Sequence, residues 1–174
     1  MSYRELLLGV GNSNKKEYFV DDHPTWENVT TLDMNAEHNP DVVWDLNVRP
    51  LPFEDETFDE IHAYDVLEHI GRQGDYKGFF EEFGEYWRIL KPGGLLVATV
   101  PSGMKAVFSD PGHTRVINEL TLVFLSQKEY VKQVGITKMT DYRNIWKKDF
   151  DIMAIKRDDT NHSLAFMLRK PDGS

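Results

Sequence analysis

Leu6-Leu7-Leu8-Gly9-Val10-Gly11-Asn12-Ser13-Asn14 is the stretch on which the reading of this sequence turns. A strand with one wet face alternates apolar and polar residues. Three leucines in a row instead indicate a strand covered on both sides, as in a parallel sheet. The glycines that follow let the backbone turn sharply and pass close to a ligand. A Gly-x-Gly turn is equally at home in a purely structural strand exit. Asp33 narrows the choice, because it lies 22 residues beyond Gly11, at the end of the apolar run Val29 to Met34. An acid so placed can accept both ribose hydroxyls of an adenosine-containing ligand, although an Asp at a strand end is also an ordinary turn former. Turn and acid together point to adenosine.

Working outward, Val42 to Leu46 reads as a third strand. Phe58 to Ala63 reads as a fourth, entered through the turn-rich segment Arg49 to Thr57. From Asp75 to Leu90 the apolar residues Tyr76, Phe79, Phe80, Phe83, Tyr86, Trp87 and Leu90 recur on one helical stripe. Lys91-Pro92-Gly93-Gly94 should stop that helix, with a fifth strand at Leu95 to Val100. Ser126 and Glu129 form a capping-box pattern that predicts a short helix through Val134, ended by Gly135. Phe150 to Lys156 and Ser163 to Arg169, joined by the polar turn Arg157 to His162, predict an antiparallel hairpin. No repeat or linker divides residues 1–174, so a single domain is expected. The alternation predicts an α/β fold: a Rossmann-like, doubly wound, mostly parallel sheet with helices on both faces and a C-terminal antiparallel hairpin. Ligands of such sheets bind beyond the carboxyl ends of the strands.

The 174 residues carry 29 acids against 20 bases, a formal charge of −9. Nucleic-acid binding depends on neutralising phosphates, so a polynucleotide substrate is disfavoured. There is no cysteine, which excludes disulfides, thiolate nucleophiles and cysteine-held metals. No apolar run is long enough to span a bilayer, and residues 1–10 lack the features of a secretory signal. A cytoplasmic location is the expectation.

The ordered set "LLLGVGNSNKKEY", "LDMN", "DLNVRPLPFEDETFDEIHAYDVLEHI" and "RILKPGG" resembles the small class I S-adenosylmethionine-dependent methyltransferases, over about Leu6 to Ser102. The resemblance implies that Gly9 and Gly11 flank the methionine part of the cofactor, with Val10 and Asn12 in the same loop. Asp33 would hold the ribose and Met34 would pack on the adenine. Asp45 would meet the adenine amino group, with Leu46 beside the ring. Tyr64 and Asp65 would face the sulfonium, and S-adenosylhomocysteine would be the product. Ser13 stands where many relatives carry a third glycine, which alters the detail of the cradle. A physical distinction from nicotinamide enzymes points the same way. A pyrophosphate needs a helix N-terminus directly after the glycines, whereas here Asn12 to Lys16 are followed closely by Pro24.

His69 and His113 are the candidate general bases. His69 lies just past the fourth strand, and His113 lies in the turn-rich Ser109-Asp110-Pro111-Gly112-His113 loop. Asp110, His113, His69 and Glu68 are metal-ligand types without a tight spacing, so no metal is assigned. With the first strand so near the start, no N-terminal helices are expected over the site. The acceptor site would be built from residues 101–120, from residues 136–148 or from a second copy in a homodimer. The acceptor is expected to be a small molecule, glycan or protein, methylated on O or N. Two other readings are a nicotinamide-dependent oxidoreductase and a non-catalytic S-adenosylmethionine-binding or assembly module. Tyr142 and Trp146 are read as packing residues before acceptor-site walls.

Overall fold

A seven-stranded sheet in the order β3-β2-β1-β4-β5-β7-β6 forms the centre of the chain. The computed structural model describes residues 2–18, 23–158, 160 and 162–173. Its strands are β1 (Glu5–Leu8), β2 (Val29–Asp33), β3 (Val42–Val43), β4 (Phe58–Tyr64), β5 (Leu90–Pro101), β6 (Asp151–Asp158) and β7 (Ser163–Arg169). The first five pair in parallel, and β7 then lies antiparallel between β5 and β6. This is the mostly parallel α/β sheet with a C-terminal hairpin that the sequence predicts. The second strand stops at Asp33 and the third at Val43, because Met34 and Trp44 onward turn out of the sheet to form loops at its carboxyl edge. The tip of the hairpin falls partly on residues 159 and 161, outside the described residues.

Alternation along the strands sorts residues between the two faces. Leu6, Leu8, Ile61, Ala63, Leu96, Ala98 and Val100 enter one large core. That core is closed by α1 (Tyr76–Ile89), whose first turn is capped by the Asp75 carboxylate accepting from the Gly78 amide at 3.0 Å. Phe79, Phe83 and Tyr86 of α1 are buried, while Tyr76 is half-exposed and stacks on Tyr142. Trp146 is buried and lies face to face with Phe80, so both late aromatics pack as expected. The helix ends at Ile89, one residue sooner than predicted. Leu90 already pairs with Phe58, so Lys91-Pro92-Gly93-Gly94 lies within β5 and not between helix and strand. Gly93, at φ +78°, donates to the Lys170 carbonyl and fastens this bend to the end of β7. Past β5, α2 (Met104–Ser109), α3 (Glu119–Val123) and α4 (Gln127–Tyr130) are short. Ser126 accepts from the Glu129 amide as predicted. Glu129 turns instead to Lys132, so the capping box is half-made and the α-helix stops at Tyr130.

The other face is covered differently over β1 and β4. The crossover from β1 to β2 contains no helix among its described residues. Where a helix would lay an apolar stripe, the sheet presents Glu5, Glu60 and His62, all fully buried. Lys16, from the crossover, places its ammonium 2.6 Å from Glu5 and 2.7 Å from Glu60. Tyr3 donates to Glu60, the Glu27 amide donates to Glu5, and His62 bonds the second oxygen of Glu60. Trp26 covers the ammonium, 5.1 Å from its ring centre. The segment is therefore held by charge and hydrogen bonds where a helix would be held by apolar contact. The geometry makes the network all-or-none, because removing one partner strands a buried charge at a cost of about 3–5 kcal/mol.

Lys16→Ala is accordingly expected to destabilise the fold by about that amount in chemical denaturation. Burial opposes ionisation of Glu60, but its hydrogen bonds to His62, Lys16 and Tyr3 prevail and hold its pKa at about 2, below the ordinary 4.5. A depressed carboxylate stabilises the folded state above its unfolded pKa. That contribution should fade as pH falls from 4.5 toward 2, and Glu60→Gln should flatten this part of the pH–stability curve.

Candidate active site

The parallel strands β1, β2 and β4 end side by side, and the loops that leave them enclose a cleft of about 200 Å³. Gly9 begins the first loop at φ +63°. A Cβ there would lie 2.4 Å from Cγ2 of Val66, so the loop after β4 closes directly onto this glycine. Asp33 ends β2, where the second loop begins. Its carboxylate accepts from the Gly11 amide at 2.9 Å and the Asn35 amide at 2.8 Å, and His38 Nδ1 lies 3.1 Å away. Burial works against ionisation, but these donors hold Asp33 below the ordinary carboxylate pKa. The group is thus an anion with lone pairs to spare. Asp45 leaves β3 in a tight turn, accepting from the backbone and side chain of Asn47. Asn47 in turn accepts from the Gly71 amide, which ties this loop to the segment after β4.

Gly9, Asp33, Met34, Asp45, Leu46, Asp65 and His69 line the same cleft, joined by Trp44, Asn47, Val66 and Ile70. Val10, Gly11 and Asn12 line an adjoining recess with Glu37 and His38, on the far side of the Asp33 carboxylate. Tyr64 is a correction. Its side chain leaves β4 on the opposite face, where it accepts from the Glu17 and Tyr18 amides and lies 2.7 Å from His62. Burial pushes its hydroxyl up to about 12, and only its backbone borders the cleft end of the strand. The cause is the strict alternation of β4, which sends Ala63 to one face and Tyr64 to the other. His113 does not line the cleft. It stands behind His69, with ring centres 4.9 Å apart. His38 and Trp44 were missed by sequence reasoning. His38 follows Asp33 within one short turn, Ala36–His38, a spacing that the Asn35 cap makes readable.

Among the described residues, the lining of the cleft carries three carboxylates, Asp33, Asp45 and Asp65, and neither Lys nor Arg. The described lining of the adjoining recess has no Lys or Arg either. This electronegative, phosphate-averse lining fits a cationic sulfonium cofactor with an adenosine end. Asp33 suits the ribose hydroxyls, and Leu46, Val66 and Ile70 offer apolar contact to a base. A larger groove lies elsewhere, on the outside of α1, with Lys77 and Lys148 in its lining.

The methyltransferase domain family matches residues 6–98, more than half of the chain and the part that builds this cleft. The chain belongs to that family. Solved structures agree in fold. The N-methyltransferase NodS from Bradyrhizobium japonicum superposes with a TM-score of 0.59 at 15% identity, over 98% of this chain and 86% of that one. A SAM-dependent methyltransferase from Methanosarcina mazei gives 0.57 at 18% identity, over 97% and 92%. The [4+2]-cyclase SpnF gives 0.57 at 15% identity, over 98% and 76%. No curated protein is similar enough to match. The family, together with the S-adenosylhomocysteine complex of NodS, agrees with the S-adenosylmethionine cofactor implied by the sequence. No helix among the described residues is long and apolar enough to cross a membrane.

Gly9→Ala tests how this methyltransferase domain closes its cleft. The left-handed backbone costs about 1–2 kcal/mol with a side chain present, and the contact with Val66 adds to it. A lower melting temperature is expected, partly restored by Val66→Ala in the double variant.

Proposed function

We propose that this protein transfers the methyl group of S-adenosylmethionine to an oxygen or nitrogen of a small-molecule, glycan or protein acceptor. The observation that carries this reading is the cleft at the ends of β1, β2 and β4, whose described lining has three carboxylates and no basic side chain beyond His69. When bound, S-adenosylmethionine supplies an electrophilic methyl carbon and leaves as S-adenosylhomocysteine. Asp33 accepts the ribose hydroxyls. Asp45 takes the adenine amino group between Leu46 and Met34, and Gly9 to Asn12 carry the amino-acid end. Asp65 faces the positive sulfonium end. The acceptor must stand in line with the methyl carbon, so orientation supplies much of the rate. His69 Nε2 takes the proton that the acceptor's O–H or N–H releases, with His113 next to it. A nicotinamide cofactor fits less well, because its pyrophosphate would face acids and find no helix N-terminus after Gly11. The overall charge of −9 likewise favours an acceptor other than nucleic acid.

Isothermal titration with S-adenosylhomocysteine tests the assignment of Asp33. Hydrogen bonds to a charged group contribute about 1.5–3 kcal/mol each, so Asp33→Ala should weaken binding by at least about tenfold. Unchanged affinity in a folded Asp33→Ala variant would refute the role.

A further inference from the structure

We propose that Glu68, His69 and His113 form a binding site for a divalent transition-metal ion of the zinc type, with an open coordination position toward the cleft. The three side chains offer ligand atoms that all lie within 4.8 Å of one another. Glu68 is 3% exposed, and neither of its carboxylate oxygens has a hydrogen-bond partner. One of those oxygens lies 3.9 Å from His69 Nε2 and 3.8 Å from His113 Nε2. These separations are too long for hydrogen bonds. They are close to what a shared ion requires, since metal–ligand bonds of about 2.0–2.2 Å place tetrahedral ligands about 3.4 Å apart.

The tautomers follow from the outer contacts. His69 Nδ1 lies 3.0 Å from the Gly112 carbonyl, and His113 Nδ1 lies 3.0 Å from the Val107 carbonyl. A carbonyl only accepts, so each Nδ1 carries a proton, and in the neutral ring each Nε2 points a lone pair at Glu68. Outward Nδ1–H bonds of this kind fix histidines that ligate metals. Three acceptors thus converge with no donor among them.

A second cluster shows the contrast. Glu5, Glu60 and His62 also converge, but there the Lys16 ammonium already sits 2.6 and 2.7 Å from the carboxylates. Among the described residues, no Lys or Arg does this for Glu68. The loop that carries His113 is held in place on its own account. The Thr114 and Arg115 amides donate to the Glu68 carbonyl, and Arg115 reaches Glu82 on α1 at 2.5 Å. Two imidazoles and one carboxylate favour zinc, cobalt or iron over magnesium or calcium, which prefer all-oxygen sites. Because His69 also lines the cleft, a water or an acceptor hydroxyl on the open position would be acidified by the ion, which then activates the acceptor in place of His69 Nε2, now a ligand and no longer a base.

The test uses the full chain, freed of metal by chelation and titrated with Co²⁺ alone, then with Zn²⁺. The site predicts visible cobalt absorption, which the cysteine-free sequence cannot produce through thiolates. It also predicts displacement by stoichiometric zinc and a higher melting temperature with zinc. Glu68→Gln and His113→Gln should each weaken binding by at least about 100-fold, while His23→Gln should leave it unchanged. Without metal, Glu68→Gln should melt at or above the wild-type temperature, because it removes an unpartnered buried carboxylate. A lower melting temperature would instead indicate a merely structural role. In the unaltered chain, paramagnetic Co²⁺ should shift the His69 and His113 ring resonances ahead of the other histidines. No cobalt spectrum, or one that survives in both variants, would overturn the site.

Discussion

Two backbone amides and an imidazole converge on the carboxylate of Asp33, and that convergence sets the shape of the cleft. Gly11 comes from the loop after β1, and Asn35 and His38 come from the turn after β2. One anion thereby locks two independent loops into register at the end of the sheet. The same anion remains able to accept hydroxyls, because each carboxylate oxygen has more than one lone pair. Val66 seals the third side by packing against a glycine that has no room for a Cβ. Ligand recognition and loop architecture therefore rest on the same few atoms.

The opposite face of the sheet solves a different problem. Its first crossover has too little helical sequence to supply an apolar stripe, and the strands beneath it carry acids. The ion network of Lys16, Glu5 and Glu60 closes this face in place of a hydrophobic layer. Such networks are seldom worth more than the apolar contacts they replace, but they demand one geometry. That demand fixes the path of the chain from Gly11 past Lys16, and with it the direction in which the glycine loop leaves β1.

Much of this was legible in the sequence, and for physical reasons. Leu6-Leu7-Leu8 had to be a doubly buried strand, and the aromatic stripe of α1 could only face a core. Asp33 was placed by its distance from Gly11. The family resemblance implies a place for Tyr64 at the cleft, but alternation along β4 decides each side chain separately, and Tyr64 falls on the other face. Leu90 was placed in the helix on periodicity alone, while its pairing with Phe58 is a long-range contact that periodicity cannot report. The meeting of Glu68 and His69 with His113 is of the same kind. It depends on Arg115 reaching Glu82 across the fold, and no local spacing announces it.

The acidic, phosphate-averse cleft suits S-adenosylmethionine better than a nicotinamide cofactor. Side-by-side calorimetric titration of the full chain with S-adenosylhomocysteine and with NADH measures this most directly. Saturable, one-to-one binding of S-adenosylhomocysteine is expected, with no measurable heat from NADH at the same concentrations. Binding of NADH, or no binding of S-adenosylhomocysteine at millimolar ligand, would contradict it.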